Sequence, residues 1–335
     1  MNRNPALKSC AVFCALSLCL FACRTYDHNT PYSKSAVFFD TIISIELYGT
    51  DEKSADGMLN ECMNICTKYE NLFDENIPES DISKINNAKD QTVSVSGDTI
   101  ALISSALSYC RDTDGLFDIT IDPVSDLWDF HEGSYIVPDE SLIKEALPLV
   151  GYQNISVDDI SNTVTVKGNA QIDVGAAAKG YIADRLADYL EDRAISGAII
   201  NIGGDLKLLG KKPDGSLFNI GINDPGSDGV IADLYLSGKA VATSGTYERC
   251  FEKDGRLYHH ILDTSTGYPA DTDIRSVTVI CDDAVDSDCL CTVCILLGSD
   301  KALDLIEKTA GTEAYIVKTD GTILSSEGIS SYIRQ

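Results

Sequence analysis

Three stretches of the chain place side chains able to do chemistry at useful spacings. The first is Ile172-Asp173-Val174-Gly175-Ala176-Ala177-Ala178-Lys179-Gly180-Tyr181. An apolar strand end turns on a glycine and three alanines, and then Ile182, Leu186, Tyr189 and Leu190 recur at helical spacing. The first N–H groups of a helix have no internal partner, and small residues let a phosphate approach them. Lys179 adds positive charge within that first turn, and Asp173 just before it can take a ribose hydroxyl, a ring N–H or an ion. The plain alternative is a βα connection with small residues for packing. The run lacks the Gly-Lys-Ser/Thr ending of a Walker A loop, so Mg²⁺ would need ligands from elsewhere.

The second stretch, Ser287-Asp288-Cys289-Leu290-Cys291-Thr292, reads as a helix start with Ser287 as its cap. Asp288 and Thr292 are four apart, so their side chains share one face one turn from each other. A carboxylate and a hydroxyl so placed suit a hard cation, and a backbone carbonyl from the alanine turn would supply a third oxygen. A capping aspartate with an unconnected threonine gives the same pattern. The third stretch is Tyr258-His259-His260-Ile261-Leu262, followed by the turn-forming Asp263-Thr264-Ser265-Thr266-Gly267. Neighbours on a strand face opposite ways, so one histidine can enter a cleft while the other packs. Imidazole is suited to moving protons at neutral pH. Thr243-Ser244-Gly245-Thr246-Tyr247 is placed to border the same cleft, and Gly203-Gly204-Asp205 reads as a strand-end bend or a close approach to ligand.

The elements that must position these groups are mixed. A strand is expected over 38–47, a helix along Leu59, Cys62, Cys66, Tyr69 and Leu72 or Phe73, and another along Ile100, Ile103, Leu107 and Cys110 with Asp98 as N-cap. A short helix follows at 139–147. Strands are expected near 155–157, 163–166, 198–202, 217–222, 231–236, 258–262 and 276–281. Helices at 287–297 and 301–308 precede a hairpin around Asp320-Gly321. Strands and helices do not strictly alternate, which favours an α+β fold over a doubly wound sheet.

The N-terminus has its own logic. Arg3 and Lys8 precede an apolar run from Ala11 to Ala22, too short to span a membrane and ending Leu20-Phe21-Ala22-Cys23 like a bacterial lipobox. Residues 1–22 are therefore expected to be a lipoprotein signal peptide, Cys23 the lipidated residue, 23–35 a polar tether, and 36–335 one catalytic domain outside the cytoplasm, anchored to the cell membrane. Loss of Arg3 and Lys8 takes the net charge from −26 to −28. No basic stripe is present, which argues against nucleic acid. An anionic substrate would need a cation or local donors to offset this charge. Of the 12 cysteines, Cys10, Cys14, Cys19 and Cys23 fall in the N-terminal segment. Cys291-Thr292-Val293-Cys294 looks like a redox or zinc half-site but lies in an apolar helical run, where cysteine acts as a small hydrophobe.

These motifs, in this order and joined by Phe39-Asp40-Thr41, Ser80-Asp81-Ile82-Ser83-Lys84-Ile85-Asn86 and Asp114-Gly115-Leu116-Phe117-Asp118 upstream, closely resemble the ApbE family over about residues 36–325. Members of that family are FAD:protein FMN transferases. The resemblance implies a T-fold-like α+β architecture with mixed and antiparallel sheets, FAD as substrate and Mg²⁺ as cofactor. It implies a metal held by Ala176, Asp288 and Thr292, with Cys291 nearby, and FAD touching Phe39, Leu116, Phe117, Asp118, Asp173, Lys179, Ile261 and Leu262. The family often has methionine where Phe39 stands. It commonly has an aromatic where Asn76 stands, so the Asn76 amide is expected either to reach metal or phosphate, leaving room for water or a second ion, or to face solvent as a loop residue before Pro78-Glu79-Ser80. The implied reaction joins FMN to a threonine or serine hydroxyl and releases AMP, with His260 as base and Asp288 at the metal. The implied acceptors are flavoprotein subunits of membrane redox complexes with Asp-x-x-(Ser/Gly)-(Ala/Gly)-Thr-like sites. The alternatives are an FAD diphosphatase and a flavin-binding lipoprotein without catalysis.

Overall fold

The computed structural model describes residues 29–130 and 135–333. The expected signal peptide and Cys23 lie outside them. The chain opens with β1 (Tyr32–Phe38), β2 (Thr41–Tyr48), α1 (Glu52–Phe73), α2 (Asp81–Asn87), β3 (Thr92–Ser94) and α3 (Gly97–Asp112). Next come α4 (Asp122–Ser125), α5 (Glu140–Ala146), β4 (Ile155–Asp158), β5 (Thr163–Val166) and α6 (Gly175–Glu191). Strands β6 (Gly197–Ile202), β7 (Asp205–Gly210), β8 (Phe218–Asn223), β9 (Val230–Leu236), β10 (Ala240–Gly245), β11 (Cys250–Lys253), β12 (Arg256–His259) and β13 (Ile274–Cys281) follow. The last elements are α7 (Ala284–Leu297), α8 (Ser299–Lys308), β14 (Glu313–Lys318) and β15 (Ile323–Ser325).

An eight-stranded antiparallel sheet, ordered β1-β2-β6-β7-β10-β13-β14-β15, forms the frame of this α+β fold. Its register follows from alternation: Ile43, Ile45 and Leu47 of β2 pair with Ile202, Ile200 and Ala198 of β6, and all six are fully buried on the helix side. Against them pack α1, through Ala55, Leu59, Cys62, Cys66, Tyr69 and Phe73, and α6, through Ile182, Leu186 and Leu190. Helices α7 and α8 cover β10, β13 and β14. The opposite face is closed by the β8–β9 hairpin through Phe218, Ile222, Leu234 and Leu236. A smaller aromatic cluster of Trp128, Phe130, Phe251, Tyr258 and Tyr268 braces α4, α5 and the β11–β12 hairpin, with the Trp128 indole donating to the Gly267 carbonyl at 3.0 Å.

Several boundaries differ from expectation for local reasons. The single strand over 38–47 is a hairpin. Phe39 and Asp40 both have positive φ (49° and 54°), the backbone a two-residue hairpin turn demands, so the chain reverses there. Strand β1 begins at Tyr32, so residues 32–35 belong to the sheet rather than to a tether. Helix α3 is capped by Ser96, whose hydroxyl accepts from Thr99 N–H at 3.1 Å, and Asp98 sits in its first turn. There Asp98 instead accepts from Lys68, Tyr69 and Tyr181. Helix α7 begins at Ala284, one turn before the expected Ser287 cap, because Asp184 of α6 accepts from Ala284 and Val285 N–H at 2.9 and 3.0 Å and caps that end from outside. Asp288 therefore lies within the helix and is only 3% exposed.

Candidate active site

The fold carries the predicted site residues from distant parts of the chain to one cleft of about 510 Å³, a size suited to a small-molecule ligand. Phe39 enters from the β1–β2 turn, and Leu116, Phe117 and Asp118 from the loop after α3. Asp173, Ala176 and Lys179 come from the start of α6, His260, Ile261 and Leu262 from the segment after β12, and Asp288 and Thr292 from α7. Thr243 and Ser244 of β10 border the same cleft. Two predicted residues are elsewhere. Asn76 is exposed; its backbone N–H and its side-chain amide both donate to Asp74 Oδ1, at 2.8 and 3.1 Å, and it does not line the cleft. Cys291 points the other way round α7, with its thiol against the Ala242 and Val277 carbonyls at 3.2 and 3.6 Å in the core. Burial pushes that thiol well above its ordinary range, so it stays protonated there.

The floor of the cleft is an ion centre that the sequence showed only in part. Lys179 Nζ donates to Asp288 Oδ1 at 2.7 Å and to Asp205 Oδ2 at 2.5 Å. The other Asp288 oxygen accepts the Gly180 N–H at 3.1 Å. Burial works against the charge on Lys179, but the two carboxylates outweigh it and hold the ammonium firmly protonated. Burial likewise pushes the Asp288 carboxyl up while Lys179 pulls it down. Asp205 was legible only as the residue after a Gly-Gly bend; nothing local announces that it pairs with a lysine 26 residues away.

The start of α6 is also not the open anion cradle the sequence pointed to. Asp173 Oδ1 already accepts the Gly175 N–H at 2.7 Å, and the Ala177 and Ala178 N–H groups donate to the Val174 carbonyl. Behind Asp173 stand Glu75, Asp122 and Asp126, all with raised pKa: burial and neighbouring carboxylates push Glu75 to about 7 and Asp122 to about 8. Asp118 is structural as well as cleft-lining. Its oxygens accept from Thr120 N–H, the Thr120 hydroxyl and Tyr152 N–H, which fixes the loop that carries Leu116 and Phe117.

The two histidines face different surroundings, but the expected strand over 258–262 is β12, which ends at His259, so His260 lies just past the strand rather than on its opposite face. His259 is 4% exposed, and its Nε2 lies 3.2 Å from the Ala270 carbonyl. His260 lines the cleft, its buried Nδ1 has no hydrogen-bond partner, and burial, aided by the Arg249 and His259 charges, lowers its pKa to about 4. It is therefore neutral and able to accept a proton at physiological pH. Arg249 and Glu248, which the sequence reading passed over, also line the cleft.

Among the described residues, no group of three or more His, Cys, Asp or Glu side chains is arranged to hold a metal ion. The expected set does not require one, since it draws on one carboxylate, one hydroxyl and one carbonyl. Asp288, Thr292 and Ala176 all line the cleft. The Gly180 N–H, which in a regular helix serves the carbonyl four residues back at Ala176, donates to Asp288. All-oxygen donors of this kind fit a hard divalent cation.

Residues 39–316 match the model of the ApbE family. The chain belongs to that family. A FAD:protein FMN transferase of Klebsiella pneumoniae (strain 342) is 36% identical to this ApbE-family chain over 303 residues, spanning 89% of this chain and 93% of that one. A second, from Treponema pallidum (strain Nichols), is 29% identical over 96% of this chain and 93% of its own length. In structure, the ApbE protein of Thermotoga maritima MSB8 superimposes with a TM-score of 0.82 at 34% identity, covering 91% of this chain and all of that one. The apo form of the flavinyl transferase ApbE of Pseudomonas stutzeri does so at 0.80 and 27%, covering 90% and 96%.

Proposed function

We infer that this protein is an FAD:protein FMN transferase that moves FMN from FAD to a serine or threonine hydroxyl of an acceptor protein, with Mg²⁺ as cofactor and AMP as the other product. The observation that carries the chemistry is the pairing, in one cleft, of a neutral His260 with the oxygen donors Asp288 and Thr292. A flavin carrier needs neither.

The acceptor oxygen forms a bond to the phosphorus of the FMN half, and the bond from that phosphorus to the bridging pyrophosphate oxygen breaks. The hydroxyl proton passes to the His260 imidazole, which is neutral and therefore able to take it. Phe39, Leu116, Phe117, Ile261 and Leu262 give the cleft apolar walls that hold the flavin nucleotide and exclude water. Asp288, Thr292 and the Ala176 carbonyl would hold Mg²⁺, which would supply positive charge to the pyrophosphate. That charge matters here, because Asp173 and Asp205 make the cleft floor acidic and the whole chain carries −26.

The N-terminal lipobox-like sequence supports a lipid anchor on Cys23 and a site of action outside the cytoplasm, with flavoprotein subunits of membrane redox complexes as acceptors. The test is incubation of the chain with FAD and Mg²⁺, with and without an acceptor polypeptide. Protein-bound flavin together with AMP supports transfer. AMP with free FMN in both arms makes the enzyme a diphosphatase, and no FAD consumption leaves only a flavin binder.

A further inference from the structure

Lys179 stands where a cation is wanted. Its ammonium bridges Asp205 and Asp288, the two nearly buried carboxylates of the cleft floor, whose side chains are 8% and 4% exposed. Both Asp288 oxygens are occupied, one by this ammonium and one by the Gly180 N–H. The lysine itself is different: its side chain is 34% exposed and lines the cleft, so it can turn away without moving α6. A divalent ion approaching Asp288 alone meets a carboxylate whose charge is already partly offset by an ammonium a hydrogen bond away. A bound pyrophosphate changes that balance, because its negative oxygens offer the ammonium a second partner inside the same cleft.

Resting on the transferase reading above, we propose that Lys179 is a gate for the metal: it plugs the Asp205–Asp288 pair in the empty enzyme and yields the Asp288 oxygen to a divalent cation only when a pyrophosphate draws the ammonium into the cleft. Metal and nucleotide then load together. The empty site is protected from stray divalent ions, and Asp205, which is not in the expected ligand set, has the task of holding the plug.

The experiment measures Mn²⁺ binding to the full chain without FAD, from the electron paramagnetic resonance signal of the free ion. Wild type should bind Mn²⁺ weakly. Lys179→Met should bind it at least about tenfold more tightly, since a unit charge next to the ligand is gone. Lys179→Gln, which removes the charge but keeps an N–H donor, should do the same and covers the case in which the methionine variant fails to fold. Lys179→Arg, retaining the charge, should stay weak. Adding ADP as a pyrophosphate probe should tighten Mn²⁺ binding in wild type much more than in Lys179→Gln, after subtraction of the Mn²⁺–ADP complex in solution. Equal or weaker Mn²⁺ binding by the uncharged variants overturns the gate, as does an ADP effect equal in both proteins. FAD turnover is not read in this assay, so a chain that consumes no FAD but shows this pattern sinks the transferase reading and keeps the gate.

Discussion

Gly180 and Ala284 meet where α6 crosses α7, so closely that a Cβ on Gly180 would lie 2.3 Å from the Ala284 carbonyl oxygen. That crossing sets the site. The same glycine donates its N–H to Asp288, and one turn further along α6 Asp184 caps α7 at Ala284 and Val285 while pairing with Lys207 at 2.9 Å. Gly180→Ala should therefore push the two helices apart and cost roughly 1–3 kcal/mol, the usual range for overpacking, because the obstacle is backbone and cannot rotate away. Turnover should fall by more than the loss of folded protein explains. A melting temperature within error of wild type would show that the crossing gives way easily.

Asp288→Asn separates charge from structure. The amide oxygen can still accept from Gly180, and Lys179 keeps Asp205 as its partner, so the fold should persist despite the burial of position 288. Turnover should drop on the order of 10²-fold or more, as when a preorganised electrostatic contact is removed. Unfolding curves and AMP release report the two effects separately. Retained AMP release in strictly Mg²⁺-dependent assays would remove Asp288 from the chemistry.

The histidine pair predicts opposite phenotypes from adjacent residues. His260→Asn should lower the transfer rate by roughly 10²–10⁴ with little effect on stability, since its ring faces the cleft. His259→Asn should instead cost about 1–3 kcal/mol of stability by stripping the Ala270 carbonyl of its buried partner. Because His260 is pushed down to about 4, it remains an acceptor well below the ordinary histidine range, and the acid limb of kcat/KM should lie below pH 5 rather than near 6.5. Arg249→Met, removing one cause of that depression, should move the limb upward. An acid limb at 6.5 in both proteins would overturn the lowered pKa of His260.

The helices and the roles of their residues were readable unequally. The β6 strand, the apolar stripe of α6 and the i,i+4 pair on α7 rest on local periodicity, and each stands in the fold near its expected place. The N-terminal hairpin was hidden because its turn uses Phe39-Asp40 in place of the glycine or asparagine that marks such turns. The α7 start was misplaced because its cap, Asp184, comes from another helix a hundred residues earlier. The same limit explains Asp205. A buried ion pair is a property of two strand and helix ends brought together, and a one-dimensional reading gives Lys179 to phosphate because a helix start is where phosphates bind.

The last prediction concerns the acidic group behind Asp173. Asp122 is 3% exposed and follows Ile121 at the head of α4, where burial first and then the charges of Glu75, Asp126 and Asp173 push its carboxyl to about 8. A carboxyl whose folded pKa is raised binds its proton more tightly in the folded state than in the unfolded one. Between the unfolded value near 4 and the folded value near 8, the native state therefore carries more protons, and this group lowers stability as pH rises through that window. Asp122→Asn keeps the shape and hydrogen-bonding capacity but cannot ionise. It should be near neutral for stability at pH 5 and stabilising at pH 8 to 9, with the gain growing steadily between them. It should also ease FAD binding at pH 8, since one negative charge coupled to the cleft-lining Asp173 is gone. Thermal melts of both proteins across that range, with FAD titrations at its two ends, decide the matter. A stability difference that does not change with pH would mean that folding does not raise the Asp122 pKa.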